Sequence, residues 1–379
     1  MSVGAATVRH SALAVVVDTD VAGLIFAIAG IALLTLSMRW APRPPRVVIA
    51  LSLVVATVSG LWLVYVRFTL SRSEGLLFAS GGETLSGTLQ IPRRGPPARA
   101  IVLVHGSGPE RRDRYLFYVR WLAEHGIAAF AYDKRGTGES SGTLYESTYR
   151  DYAADAAAAV DAVAARLGLG ERSIGLVGFS EAEWVAPLTA AQSPLIGYVA
   201  IIGASGLSPA GQVQAELALR LERRGYDAAT ISQALNLNSR VLEYQRTGAG
   251  AEDLAASLAN ARSQPWFADA EDIPAEMHPP EVYAWWRSVM DFDAAAAWSR
   301  VEVPVLLLKG GADDRSTAGV MRTRIGHALA AAGHDQPDVV VFPEADHMLL
   351  EWPLGPGVPP PVFAEGALEH LLAWIEEHS

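Results

Sequence analysis

From about residue 72 onward the chain consists of short aliphatic or β-branched runs separated by longer helix-like stretches. The runs are Ala100–His105, Ala128–Asp133, Ser173–Gly178, Val199–Gly203, Val303–Lys309 and Val339–Phe342. A strand buried on both faces of a parallel sheet needs continuous rather than alternating apolarity, and these runs have it. Between them, Tyr115–His125 closes on Gly126, the Ala-rich Tyr149–Leu167 closes on Gly168, and Glu181–Gln192 follows. Such alternation predicts an α/β fold with a doubly wound, mostly parallel sheet. Ahead of it, Leu76–Ala79 and Leu85–Ile91 flank a Ser-Gly-Gly-Glu turn and predict a hairpin.

Residues 205–300 break the alternation with helix-forming stretches, no convincing strand, and Trp266, Trp285, Trp286 and Trp298. An insertion between strands of such a sheet lies at its carboxyl edge, so this segment is expected to be a helical lid over the site. The core is then 73–204 and 301–379. Residues 1–72 have a different texture, with no charge in 21–38 or in 47–66. About 20 helical residues cross the roughly 30 Å hydrocarbon core of a bilayer. Two spans therefore fit, joined as a membrane hairpin by the arginine-rich connector Arg39–Arg46. The positive-inside tendency places that connector in the cytoplasm and the body outside. Arg9, Arg67 and Arg72 on the other side weaken the bias, leaving the inverted orientation, or apolar helices buried in a soluble oligomer, as alternatives.

The net charge of −11 divides unevenly: before residue 71 five arginines face two aspartates, a net of +3, which leaves −14 for the rest. A body that acidic repels phosphate backbones and argues against nucleic acid as a partner. Without cysteine there is no disulfide framework, thiolate metal site or cysteine nucleophile. No metal-ligand spacing appears, and Gly136-Thr-Gly138 lacks the strand-turn-helix setting of a dinucleotide site, so no cofactor is expected.

Two pentapeptides could carry a serine nucleophile. Gly138-Glu-Ser140-Ser-Gly142 fits the Gly-x-Ser-x-Gly pattern more strictly, but Gly178-Phe-Ser180-Glu-Ala182 has the context a nucleophile elbow needs, a strand before and a helix after. Ser180 is the expected nucleophile. A serine hydroxyl needs a base oriented by a carboxylate. His347, in Ala-Asp346-His347-Met, follows a late strand, whereas His327, His334, His370 and His378 lie on helical or terminal stretches and His278 lies in the lid. The acid comes from Gly310-Gly-Ala-Asp313-Asp314, where counting from the strand favours Asp313 and leaves Asp314 open. For the oxyanion, the expected backbone N–H donors are Glu181, which follows the nucleophile, and Ser107 in the glycine-rich loop after Ala100–His105. His105 is read as fixing that loop rather than as the base.

These residues together resemble the α/β-hydrolase superfamily, in particular bacterial serine esterase-like members. The likeness rests on Leu85-Ser-Gly-Thr-Leu89, Val104-His-Gly-Ser-Gly-Pro109, Tyr132-Asp-Lys-Arg-Gly-Thr-Gly138, Gly178-Phe-Ser-Glu-Ala182, Gly311-Ala-Asp-Asp314 and Asp346-His347. It covers the chain from about Gly75 on, and it implies an α/β-hydrolase fold cleaving small ester or acyl substrates through an acyl-enzyme. Phe179 stands where relatives often carry His, and Glu183 follows Ala182 in place of a second small residue. Two other readings stay open: a serine aminopeptidase or amidase, with Glu181, Glu183 or a lid acid holding the substrate ammonium, and a non-catalytic membrane-anchored binding protein. The lid tryptophans suggest an apolar acyl or aryl pocket or, equally simply, the packing of the lid.

Overall fold

The computed structural model describes residues 70–353, 355 and 361–378, with a few helical positions between 50 and 58. Eight strands form one sheet: β1 (Ser71–Ser80), β2 (Glu83–Pro92), β3 (Ala100–Val104), β4 (Ala128–Tyr132), β5 (Ile174–Phe179), β6 (Ile196–Ile202), β7 (Val305–Gly310) and β8 (Asp338–Phe342). Their order is β1-β2-β4-β3-β5-β6-β7-β8. β2 pairs antiparallel with β1 and β4, and every other pairing is parallel. The sheet is thus mixed but mostly parallel.

The hairpin strands are longer than hydropathy suggests. Ser71–Gly75 pair with Thr88–Pro92 through backbone bonds that a polar, half-exposed edge strand makes as well as an apolar one. β6 likewise starts at Ile196 because Gly197 passes so close to the Arg172 carbonyl that a Cβ there would lie 2.3 Å from its oxygen. β3, β4, β5, β6 and β7 are buried along their whole length, which explains their uninterrupted apolar character.

Helices cover both faces. α1 (Leu116–Glu124) and, at the C-terminal end, Ala367–Glu377 pack on one side with Leu103, Val177, Phe179 and Leu308. On the other lie α2 (Tyr149–Leu167) and α3 (Ala182–Ala190), with Val102, Leu176, Ile201 and Leu307. α2 starts where the Asp151 carboxylate accepts the Thr148 N–H at 2.7 Å, and it ends on Gly168 at φ 70°.

Residues 205–300 hold helices and no strand: α4 (Pro209–Arg223), α5 (Ala228–Thr247), α6 (Ala251–Ala261), α7 (Ala284–Val289) and α8 (Ala294–Trp298). The first three enclose a small core of their own around Leu217, Val241, Leu258 and Trp266. Trp298 is instead fully buried in the main core, so α8 already belongs to the sheet's packing. The candidate spans 21–38 and 47–66 lie outside the described residues except for the positions between 50 and 58, where Leu53, Val54, Val55 and Val58 are exposed. Among the described residues no helix is long and apolar enough to cross a membrane.

Candidate active site

Ser180 stands between the end of β5 and the start of α3 with φ 53°, a left-handed conformation that side chains rarely adopt. The turn closes only on small neighbours: a Cβ at Gly178 would lie 2.5 Å from the Ala182 Cβ and 2.8 Å from Ile201 Cδ1. The Ser180 N–H donates to the Ile202 carbonyl at 2.8 Å, fastening the elbow to the end of β6. The decoy Ser140 is a turn residue. Its buried hydroxyl donates to the Asp133 carbonyl at 2.6 Å and accepts the Ser86 N–H at 3.1 Å.

Of the two adjacent aspartates, Asp313 meets the histidine: His347 Nδ1 lies 2.8 Å from Asp313 Oδ2. Asp314 turns toward Arg220, 3.8 Å away. The Gly310-Gly311 pair makes this possible, because Cβ atoms there would lie 2.1 Å from the Asp346 carbonyl oxygen and 2.3 Å from that of Pro343. The acid-bearing and histidine-bearing loops are thereby in backbone contact. Asp346 holds the second loop, accepting the N–H groups of Met348 and Leu350 and the Trp352 indole at 2.8–3.0 Å. The His347 ring rests against Gly203, where a Cβ would come within 2.7 Å of Cε1. Since Ser180 is tied to Ile202, the next residue back, the Ser180 elbow and the His347 imidazole share one support. Among the described residues no hydrogen bond joins them, and such contacts often close only around substrate.

Asp313 is fully buried and shares Oδ2 with Lys309, whose ammonium lies 2.6 Å away and also donates to the Ala204 carbonyl at 3.0 Å. Burial pushes the Asp313 carboxyl up, but the charges and hydrogen bonds of His347 and Lys309 outweigh it and hold the group well below the ordinary carboxylate range. Asp313 is therefore an anion able to orient an imidazole. His105, by contrast, is buried with Nε2 2.6 Å from the Tyr132 carbonyl. Burial drives its pKa down to about 3, against that hydrogen bond, so the ring is neutral and ties the loop after β3 to β4.

That loop approaches the elbow closely enough that a Cβ on Gly106 would lie 3.9 Å from the Ser180 Cβ. Ser107 is exposed beside it, and Glu181 stands at the N-terminus of α3, where amides have no intrahelical acceptor. Among the described residues no backbone hydrogen bond outside the regular ladders uses either amide. Two backbone N–H groups thus lie near Ser180, one on the loop after β3 and one at the start of α3. Neither nearby glutamate side chain is free. Glu181 forms a buried ion pair with Lys134 at 2.5 Å, and Glu183 accepts the Ser205 N–H and hydroxyl and the Gly206 N–H at 2.6–2.9 Å. Burial raises the Glu183 pKa to about 7 in spite of those donors.

Residues 95–351, more than half of the chain, match the family model of the serine aminopeptidases, S33. The chain belongs to that family. It is a serine hydrolase of the α/β-hydrolase class, and the matched segment contains Ser107, Ser180, Glu181, Asp313 and His347. Solved structures share its fold at low identity. A hypothetical protein of Pseudomonas aeruginosa is 17% identical with a TM-score of 0.50, covering 82% of this chain and 95% of its own. An esterase of Pyrococcus furiosus is 12% identical with a TM-score of 0.50, covering 81% and 90%. No curated protein matches the hydrolase. Among its described residues no group of three or more His, Asp or Glu side chains could hold a metal ion.

Sequence reasoning missed two residues of this hydrolase's site, Lys134 and Lys309. Lys134 hides in a polar loop, but Lys309 directly follows the apolar run Val305–Leu308, and a charge within so apolar a strand is itself a signal of an internal partner.

Proposed function

We propose that the protein cleaves carboxylic esters through an acyl-enzyme. Ser180 attacks the carbonyl carbon as His347 takes its proton. The oxyanion forms against the Ser107 and Glu181 amides, and His347 returns the proton to the leaving alkoxide. Asp313 holds the imidazole with Nδ1 protonated and stabilises the imidazolium. Water then repeats the sequence on the acyl-enzyme. The observation that carries this reading is the 2.8 Å contact between Asp313 and His347, set on the same support as a strained serine elbow. The test is a fluorophosphonate probe with an ester panel: Ser180→Ala should lose both labelling and turnover, and persistent labelling would refute the assignment.

A second reading, an aminopeptidase on the same machinery, is favoured by the description of the family. It needs a carboxylate for the substrate ammonium. Glu181 and Glu183 are both engaged internally, and the lid acids Glu216 and Asp272 pair with Arg220. Those engagements take the two glutamates beside Ser180 out of that role, whereas Glu271 of the lid lines a cavity with Glu216 and Arg220, and parallel panels of esters and aminoacyl amides decide between the readings.

The N-terminal 72 residues are proposed to anchor the enzyme in a bilayer by two passes, with the catalytic body extracytoplasmic. Two uncharged stretches and the arginines between them support this, as do the exposed Leu53, Val54, Val55 and Val58. A C-terminal reporter active only in the cytoplasm should stay silent.

A further inference from the structure

We infer that Lys134 is a positioning residue for the oxyanion site, holding both backbone donors at once and cancelling the carboxylate that one of them carries. The inference rests on the proposed acyl-enzyme reading.

Lys134 comes from the loop after β4, and its side chain is 4% exposed. Its ammonium donates to the Gly106 carbonyl at 3.0 Å and to Glu181 Oε1 at 2.5 Å, and it lies 4.4 Å from the centre of the Tyr152 ring. The Gly106 carbonyl and the Ser107 N–H belong to one planar peptide, so an ammonium fixed on the oxygen sets the direction of the N–H opposite. Drawing electron density toward that oxygen also makes the N–H a stronger donor, because linked hydrogen bonds polarise one another. The other contact anchors the side chain of the residue whose amide is the second donor.

Charge supplies the further reason. Glu181 is 2% exposed and adjacent to the nucleophile, so its carboxylate alone would oppose negative charge developing on the substrate carbonyl in a low-dielectric setting. Paired with Lys134, it becomes part of a locally neutral unit. Arg135 cannot take the place of Lys134, since it is bound in a two-pronged pair with Asp155 at 2.6 and 2.7 Å.

The test uses Lys134→Met in the full-length enzyme. We expect kcat for a preferred ester to fall about 100-fold, the scale of losing one oxyanion donor, with KM within about twofold. Affinity for a trifluoromethyl ketone, which forms an oxyanion at the nucleophile, should fall by a similar factor. A merely structural role would not separate those two quantities from KM. Should Lys134→Met leave Glu181 unpaired and fail to fold, Lys134→Met with Glu181→Met removes both charges together. That variant should fold and still lose kcat and ketone affinity, because nothing holds the Gly106 carbonyl. A folded variant with kcat and ketone affinity within about twofold of the parent overturns the inference. Ser180→Ala run alongside keeps the outcomes apart: if it is inactive while the Lys134 variants are normal, only this inference fails, and if it stays active the acyl-enzyme reading itself fails.

Discussion

The buried pair Lys309–Asp313 makes the proposed triad acid sensitive to mutation. Asp313→Asn would remove the charge that orients His347 and leave an ammonium buried without a counter-ion. We expect kcat to fall about 10⁴-fold, by the loss of the correct imidazole tautomer. Stability should drop by about 3–5 kcal/mol, by the breaking of a buried pair. Adding Lys309→Met should recover much of the stability in a denaturant titration and none of the activity. If both return together, the pair is not the cause. Glu183 gives a pH prediction of the opposite kind. Its pKa is raised from 4.5 to about 7 by burial, so the folded state holds its proton more tightly than the unfolded chain. Its stabilising contribution is complete below pH 4.5 and is lost as pH rises to about 7. The shift corresponds to on the order of 3 kcal/mol. Glu183→Gln can keep the same bonds to Ser205 and Gly206, with its amide donating to the hydroxyl, and should flatten that slope between pH 5 and 8. An unchanged slope in the variant would show that Glu183 is not its source.

At the scale of elements, the elbow is the joint on which the site depends. The packing of α3 against β5 is limited by Gly178, which already faces Ala182 and Ile201 too closely for a methyl group. Gly178→Ala must part strand from helix or displace Ile201, at about 1–3 kcal/mol. It should lower the thermal midpoint, and fluorophosphonate labelling should slow as Ser180 moves away from the loop at Gly106. Normal labelling with a normal midpoint would mean that the joint tolerates the methyl. The central strands were legible in sequence because burial on both faces leaves an unbroken apolar record. The extra length of β1 and β6 was not, because backbone pairing at Ser71–Gly75 and the close approach of Gly197 leave none.

For the whole molecule, the helical segment 205–300 is tied by hydrogen bonds to loops of the sheet, among them the one that carries Asp313. Arg223 at the end of α4 donates to the carbonyls of Gly311, Ala312 and Asp313 at 2.7–3.3 Å, and the Trp285 indole donates to the Ser147 carbonyl at 2.8 Å. The tryptophans divide accordingly. Trp266 packs the lid's own core, Trp298 packs the sheet, and only Trp285 and Trp286 remain partly exposed. Arg223→Ala should loosen the loop bearing Asp313 and lower kcat severalfold with little change in thermal midpoint. An unchanged kcat would mean that the loop is held without the lid.

The order of strands and helices, the elbow and the histidine-bearing loop could all be read along the chain, because each is a local pattern set by burial periodicity or by the size of neighbouring residues. The sequence also narrowed the acid to two adjacent aspartates. Which of them faces His347 depended on tertiary structure, since the answer lies in how the Gly310-Gly311 turn is pressed against the backbone of residues 343–346. The same holds for the internal charges. Lys134 meets Glu181 across 47 residues, and Lys309 meets the Ala204 carbonyl across 105. A charge in a sequence carries no mark of its partner. Only the folded chain, by excluding water from both, makes the pairing obligatory.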